Sequence, residues 1–189
     1  MGKVVIFSAP SGSGKTTIVR ALLERYPQLE FSISATSRAP RGNEQDGRDY
    51  YFFTQEAFRQ AVADDRFVEW EEVYQGTCYG TLRSEVERIW NKGHVILFDV
   101  DVIGGLNLRR IFGDEACAIF VMPPSIEVLR QRLEGRGTDA PEVIQRRIDK
   151  AAFELTKADG FDHIVLNDRL DDAIAETARI LENFIGIGR

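Results

Sequence analysis

The stretch APSGSGKT at 9–16 holds the residue types best suited to grip a polyphosphate. Gly12 and Gly14 permit backbone angles that a Cβ forbids, so consecutive N–H groups can converge on an anion. The apolar run VVIF at 4–7 predicts a buried strand before this turn, and Ile18, Val19, Leu22 and Leu23 predict an amphipathic helix after it. The positive end of that helix faces the same point as the turn. Strand, glycine turn and helix in this register are the setting of a phosphate-binding P-loop. Its candidate nucleotide contacts are Ala9, Pro10, Ser11, Gly12, Ser13, Gly14, Lys15, Thr16 and Thr17. Lys15 supplies a point charge for the outer phosphates, and the Thr16 hydroxyl is a candidate magnesium ligand. Ala9 stands where the strict pattern has glycine, and alanine is the next smallest residue.

The segment HVILFDVD at 94–101 reads as a buried strand ending in carboxylates. Asp99 is thereby a second candidate magnesium ligand, acting through water and bordering the substrates. Asp101 lies two residues on, on the same side of an extended chain. Arginines gather in two places: Arg38 and Arg41 on a loop with Pro and Gly, and Arg132, Arg136 and Arg147 around a second glycine-bearing stretch. A guanidinium meets phosphate through two parallel N–H donors, which suits such clamps. Two arginine clusters beside one P-loop imply two phosphate-bearing ligands, and so transfer between them rather than hydrolysis.

Strands and helices must alternate to position these groups. Past the first helix, which Pro27 stops, residues 29–36 alternate as a strand. The loop-rich segment at 37–50 leads into a short strand at YYFFT, a helix over 55–63 with Thr54 as its cap, and a hairpin over 66–81 turning at Gly76. A helix over 82–91, a strand over 94–101, a helix over 103–112 and a strand over 116–122 resume the alternation. Helices over 125–133 and 142–157 flank EGRG, the second begun by Asp139, Pro141 and Glu142. A strand over 161–167 closes the sheet, and a last helix is expected to bury Leu170, Ala173, Ile174, Leu181, Phe184 and Ile185. The pattern predicts an α/β fold, a mostly parallel sheet covered by helices, with a run of short strands inserted into it. Ligands in such sheets bind beyond the carboxyl ends of the strands, so the P-loop, Asp99, Asp101 and Asn167 are expected in one crevice.

A chain of 189 residues, 43% hydrophobic and 29% charged, supports one well-buried core. Its net charge of −6 opposes a general role in binding nucleic acid polymers, so any basic site is local. Cys78 and Cys117 lie far apart without metal-ligand spacing, which fits inert thiols in a reducing compartment. No apolar run approaches membrane-spanning length and no signal peptide precedes the first strand, so a cytoplasmic protein without a membrane partner is expected. Ile6 stands where a myristoylation motif needs Ser or Thr. His94 and His163 receive no role, and the oligomeric state is open.

Over almost the whole chain, SATSRAPRGNEQDGRDYYF followed by FVEW, YGT, ILFDVD, RLEGRGT and VLND resembles guanylate kinases in order and spacing. Adenylate and thymidylate kinases share the P-loop without the SRxPR, DGxDY and EGRG segments. The resemblance implies a P-loop NTPase-type core at 1–32, 83–122 and 156–189, a nucleotide-monophosphate-binding insertion at 33–82 and a helical lid at 123–155. It implies that ATP and GMP go to ADP and GDP with Mg²⁺, and leaves tolerance of dGMP open. It implies that Ser34, Glu69, Thr81 and Asp101 surround guanine and that Arg38, Arg41, Tyr50 and Tyr79 hold the GMP phosphate. Lys15, Arg41, Arg136 and Arg147 would stabilise the transferring group, with Arg132 and Asn167 nearer the ATP. The chemistry agrees: guanine offers N1–H and N2–H₂ side by side to one carboxylate such as Glu69, and adenine offers no such pair. Without the resemblance, Glu69 reads as a strand charge beside Trp70, and Tyr51, Phe52 and Phe53 read as packing. Ile103 and Cys78 depart from the family at positions where glutamine and an aromatic residue are usual, and neither position is a phosphate ligand. A GTPase is the rival reading, since DVIG at 101–104 matches a DxxG switch, but Asn91-Lys92-Gly93-His94 lacks the final Asp of a guanine-reading NKxD and precedes that segment. A peptide-binding scaffold is opposed by the intact GKT.

Overall fold

The computed structural model describes residues 2–135, 137 and 140–186. In chain order the elements are β1 (Val4–Ser8), α1 (Lys15–Arg25), β2 (Leu29–Phe31), β3 (Ala35–Thr36), β4 (Tyr51–Phe52), α2 (Gln55–Ala63), β5 (Phe67–Tyr74) and β6 (Thr77–Leu82). There follow α3 (Arg83–Trp90), β7 (Val95–Asp99), α4 (Val102–Phe112), β8 (Ala116–Met122), α5 (Ile126–Glu134), α6 (Pro141–Leu155), β9 (His163–Leu166) and α7 (Leu170–Ile185).

The wholly buried β1 is the centre of a five-stranded parallel sheet ordered β2-β7-β1-β8-β9. Val5 and Phe7 pack on one face with Ile18 and Leu22 of α1 and Leu181 of α7. Val4 and Ile6 pack on the other with Val86 of α3 and Leu108 of α4. Successive residues of β1 thus serve two cores, which is why the run is apolar throughout. The parallel register sets Phe7 opposite Asp99 and Ser8 opposite Phe120, so the loop after β1 emerges beside the carboxylate that ends β7.

A second sheet is ordered β4-β3-β6-β5, with β6 antiparallel to both neighbours and β3 parallel to β4. Ala35, Phe58, Ala61, Phe67 and Leu82 form its core, where Phe58 stacks on Phe67 with ring centroids 4.5 Å apart. Thr54 caps α2 by accepting the Ala57 N–H at 3.1 Å. Gly76 turns the β5–β6 hairpin at a φ of 75°.

Several expectations change in the folded chain. Residues 29–36 form two strands in different sheets: the Ser32 N–H still reaches the Leu97 carbonyl at 2.9 Å, whereas Ala35 pairs with Gly80 and Tyr51. The alternating pattern runs through the change because each half has one face to bury. Asp101 is the N-cap of α4 rather than a strand residue, and its carboxylate accepts the Gly104 N–H at 2.9 Å. Ala140 is the N-cap of α6, and Asp139, expected to help begin that helix, lies outside the described residues. Leu170 opens α7 and is 39% exposed, while Thr177, Ala178 and Ile180 are buried there instead. No helix among the described residues is long and apolar enough to cross a membrane.

The substitution Phe58→Ala empties the centre of the second sheet's core, where the ring is 1% exposed. It is expected to cost about 3–5 kcal/mol, read as a lower urea midpoint; an unchanged midpoint would contradict this packing.

Candidate active site

The glycines of the loop after β1 have backbone angles that other residues rarely adopt. Gly12 and Gly14 sit at φ values of 92° and 87°, and a Cβ on Gly14 would collide with the Asn167 amide nitrogen. Gly14 is the N-cap of α1, whose first turn holds no acidic residue, so the positive helix end faces the loop uncompensated from within. Asn167, buried at the end of β9, donates from its amide to the Ser13 carbonyl at 2.6 Å. Arg132 of α5 donates to the Asn167 carbonyl at 3.0 Å. These two residues brace the loop from behind, and neither lines the cleft in front of it. Asn167 thus stands beside the glycine loop, with its amide donating to the loop backbone.

Lys15, the first residue of α1, forms an ion pair with Asp99 and donates to the Val100 carbonyl at 3.1 Å. Thr16 and Asp99 both line the cleft. One hydroxyl and one carboxylate make a sparse oxygen set. That fits Mg²⁺, which keeps several waters and completes its shell with substrate phosphates. Among the described residues no cluster of three or more His, Cys, Asp or Glu could hold a metal ion.

The cleft has a volume of about 810 Å³ and is walled by both sheets and α6. Residues 9–17, Asp99 and Asp101 line it from the parallel sheet, and Ser34, Arg41, Tyr50, Glu69 and Tyr79 line it from the side of the second. Arg147 of α6 lines it as well and donates to the Ser11 hydroxyl at 2.7 Å. Glu69 and Thr81 are partners in the β5–β6 register, and the buried Thr81 hydroxyl donates to the Glu69 carboxylate at 2.9 Å. Thr81 therefore orients Glu69 and stays behind it. Burial pushes the Glu69 carboxyl up to about 7, with the Thr81 bond opposing the rise and the Asp101 charge adding to it.

Arg38 is half-buried against residues that line the cleft. Its guanidinium forks onto Glu44 at 2.6 and 2.8 Å, donates to the Tyr79 hydroxyl at 3.1 Å, and lies 4.8 Å from the centre of the Tyr50 ring. The fork holds Glu44 down at about 2. Arg136 lies outside the described residues. Glu71, Lys150 and Glu154 also line the cleft, and no motif singles them out. Their signal is periodicity: Glu71 is two residues from Glu69 on one strand, and Lys150 and Glu154 follow Arg147 by helical steps of three and four. Burial pushes Glu71 up to about 7 and raises Glu154 too.

A glycine cradle with its lysine, a carboxylate at the adjoining strand end, and a second sheet bringing arginine, tyrosine and carboxylate side chains to the same cleft define a P-loop nucleotide kinase. The model of the family described as guanylate kinase matches residues 1–184. A protein named guanylate kinase from Bacteroides thetaiotaomicron is 53% identical over 97% of this chain and 90% of its own length. Another, from Porphyromonas gingivalis, is 50% identical over 98% of this chain and 99% of its own. The crystal structure of guanylate kinase from Anaplasma phagocytophilum is similar, with a TM-score of 0.77 and 29% identity over 96% of this chain and 85% of that one. The chain belongs to the guanylate kinase family, enzymes that use ATP as co-substrate and phosphorylate GMP.

Replacing Asn167 with Ala deletes the donor under Ser13 and leaves that carbonyl unmet. The expected result is a rise of about tenfold in the KM for ATP with the KM for GMP nearly unchanged. Equal rises for both nucleotides would contradict a role confined to the loop.

Proposed function

We propose that ATP and GMP bind in this cleft with their phosphates facing, and that the γ-phosphoryl group passes directly between them to give ADP and GDP in the cytoplasm. The observation that carries this reading is that the glycine cradle and the half-buried Glu69 carboxylate, one suited to phosphate and one to guanine, line one cleft. Residues 9–17, backed by Arg132 and Asn167, serve the ATP side. Ser34, Glu69 and Asp101, with Thr81 behind them, serve guanine. Arg41, Tyr50 and Tyr79 serve the GMP phosphate, and Arg38 joins them if it exchanges Glu44 for that phosphate. The segments 33–82 and 123–155 act as the acceptor-binding insertion and the lid of a core formed by 1–32, 83–122 and 156–189.

The acceptor is already an anion, so the reaction needs no general base; it needs alignment and relief of charge repulsion. Lys15 supplies relief by trading its Asp99 partner for the transferring phosphate. Arg41, Arg136 and Arg147 add charge that follows the phosphoryl group as it moves. Mg²⁺, held by Thr16 and through water by Asp99, would supply further neutralisation of the donor phosphates when bound. Glu69 accepts the two adjacent guanine donors only as a carboxylate, with Thr81 fixing its orientation. Closure of the two flanking segments keeps water from the phosphoryl group.

Two measurements test this. ADP formation followed with GMP, AMP, CMP and dTMP is expected to favour GMP by roughly 10⁴-fold, because an acceptor lacking the paired donors leaves Glu69 unmet. Comparable turnover of AMP would overturn the assignment of the guanine subsite. The raised Glu69 carboxyl also gives a pH dependence. Below pH 7 it is increasingly protonated before GMP binds, so the KM for GMP is expected to rise as pH falls through about 7. In Glu69→Gln that KM is expected to be high at every pH and flat through this range; a profile that keeps its inflection would assign the titration elsewhere.

A further inference from the structure

We infer that Glu85, which lies outside the cleft, is a positioning residue for the acceptor nucleotide, because its carboxylate ties the crossing between the two sheets to the strand that follows Tyr50. Glu85 sits in the first turn of α3 and is only 2% exposed. One of its oxygens accepts the Ile33 N–H at 3.0 Å, and the other accepts the Tyr51 hydroxyl at 3.0 Å. Arg88, one turn further along α3, donates to both oxygens at 2.9 and 2.7 Å. The same guanidinium pairs with Glu30 of β2, which also accepts from Lys92 at 2.8 Å and lies 2.7 Å from the His94 ring nitrogen. A line of ion pairs and hydrogen bonds therefore runs from the edge of the parallel sheet, through α3, to β4 of the second sheet.

Its two end points matter for the cleft. Ile33 is where the chain leaves the first sheet, and the next residue, Ser34, lines the cleft. The Ser34 carbonyl in turn accepts the Tyr51 N–H at 2.9 Å. Tyr50, immediately before Tyr51, lines the cleft beside Arg38. One buried carboxylate thus sets the spacing between a residue on the base side of the acceptor and one on its phosphate side. Burying a charge is costly unless its lone pairs are met, and an apolar side chain would fill the same space more cheaply. What the apolar residue lacks is direction: it cannot hold an N–H and a phenol at fixed places. The inference rests on the reading that Ser34 and Tyr50 contact GMP.

Steady-state kinetics with ATP and GMP varied separately test it on the unaltered enzyme, Tyr51→Phe, Glu85→Gln and their double variant. Tyr51→Phe removes one hydroxyl and keeps the half-buried ring, so the fold is retained. The KM for GMP is expected to rise about fivefold in Tyr51→Phe and about tenfold or more in Glu85→Gln, with kcat and the KM for ATP within about twofold. The double variant is expected to match Glu85→Gln, since both changes cut the same link. Ser34→Ala and Tyr50→Phe are measured alongside. If they raise the KM for GMP while Tyr51→Phe and Glu85→Gln leave it unchanged, or raise both KM values equally, the positioning role is overturned. If Ser34→Ala and Tyr50→Phe leave it unchanged, the contact reading fails, and this inference falls with it.

Discussion

Lys15 and Asp99 meet because two neighbouring parallel strands end together, with Phe7 beside Asp99. That register cannot slip by one residue without exchanging the faces of Val4, Val5, Ile6 and Phe7, each of which is buried in one of two separate cores. The hydrophobic burial that stabilises the sheet therefore also sets the place where a glycine loop, a helix N-terminus, a lysine and a carboxylate converge. A parallel sheet puts all its strand ends on one side, and its crossovers deliver Asp101, Asn167 and the loop to that side as well. The site is a by-product of the same constraint that holds the core.

The charges that converge there are mostly satisfied by one another. Lys15 has Asp99, Arg38 has Glu44, and Arg147 has the Ser11 hydroxyl. On the side of the second sheet the balance has the opposite sign: Glu69 and Glu71 come from one strand to lie near Asp101, and burial together with that neighbour makes ionisation costly. A base that presents hydrogen-bond donors relieves this cost, and one that presents acceptors aggravates it.

Much of this was legible along the chain. The strand, glycine turn and helix around Lys15 are local, and so are the Thr54 cap, the helix over 55–63 and the turn at Gly76, each formed by residues within a few positions of one another. The split of 29–36 between two sheets was not legible, because alternation records that a face is buried and not which sheet buries it. Asp101 was misplaced for a related reason: an N-cap has an extended backbone, as a strand residue has. Glu71 and Lys150 carry periodic signals, yet a charge at the right spacing differs from a solvated one only when an opposing wall exists.

By itself the sequence determined the kind of chemistry, since APSGSGKT and its flanking runs specify a phosphate cradle through short-range backbone geometry that no distant residue is needed to create. Tertiary structure alone decided the working partners: that Asn167 holds the Ser13 carbonyl rather than facing the cleft, that Thr81 stands behind Glu69, and that Glu44 occupies the Arg38 fork. Asn167 is separated from Ser13 by 154 positions, and whether a polar side chain faces a ligand or a backbone group depends on packing across such separations, which no local pattern encodes.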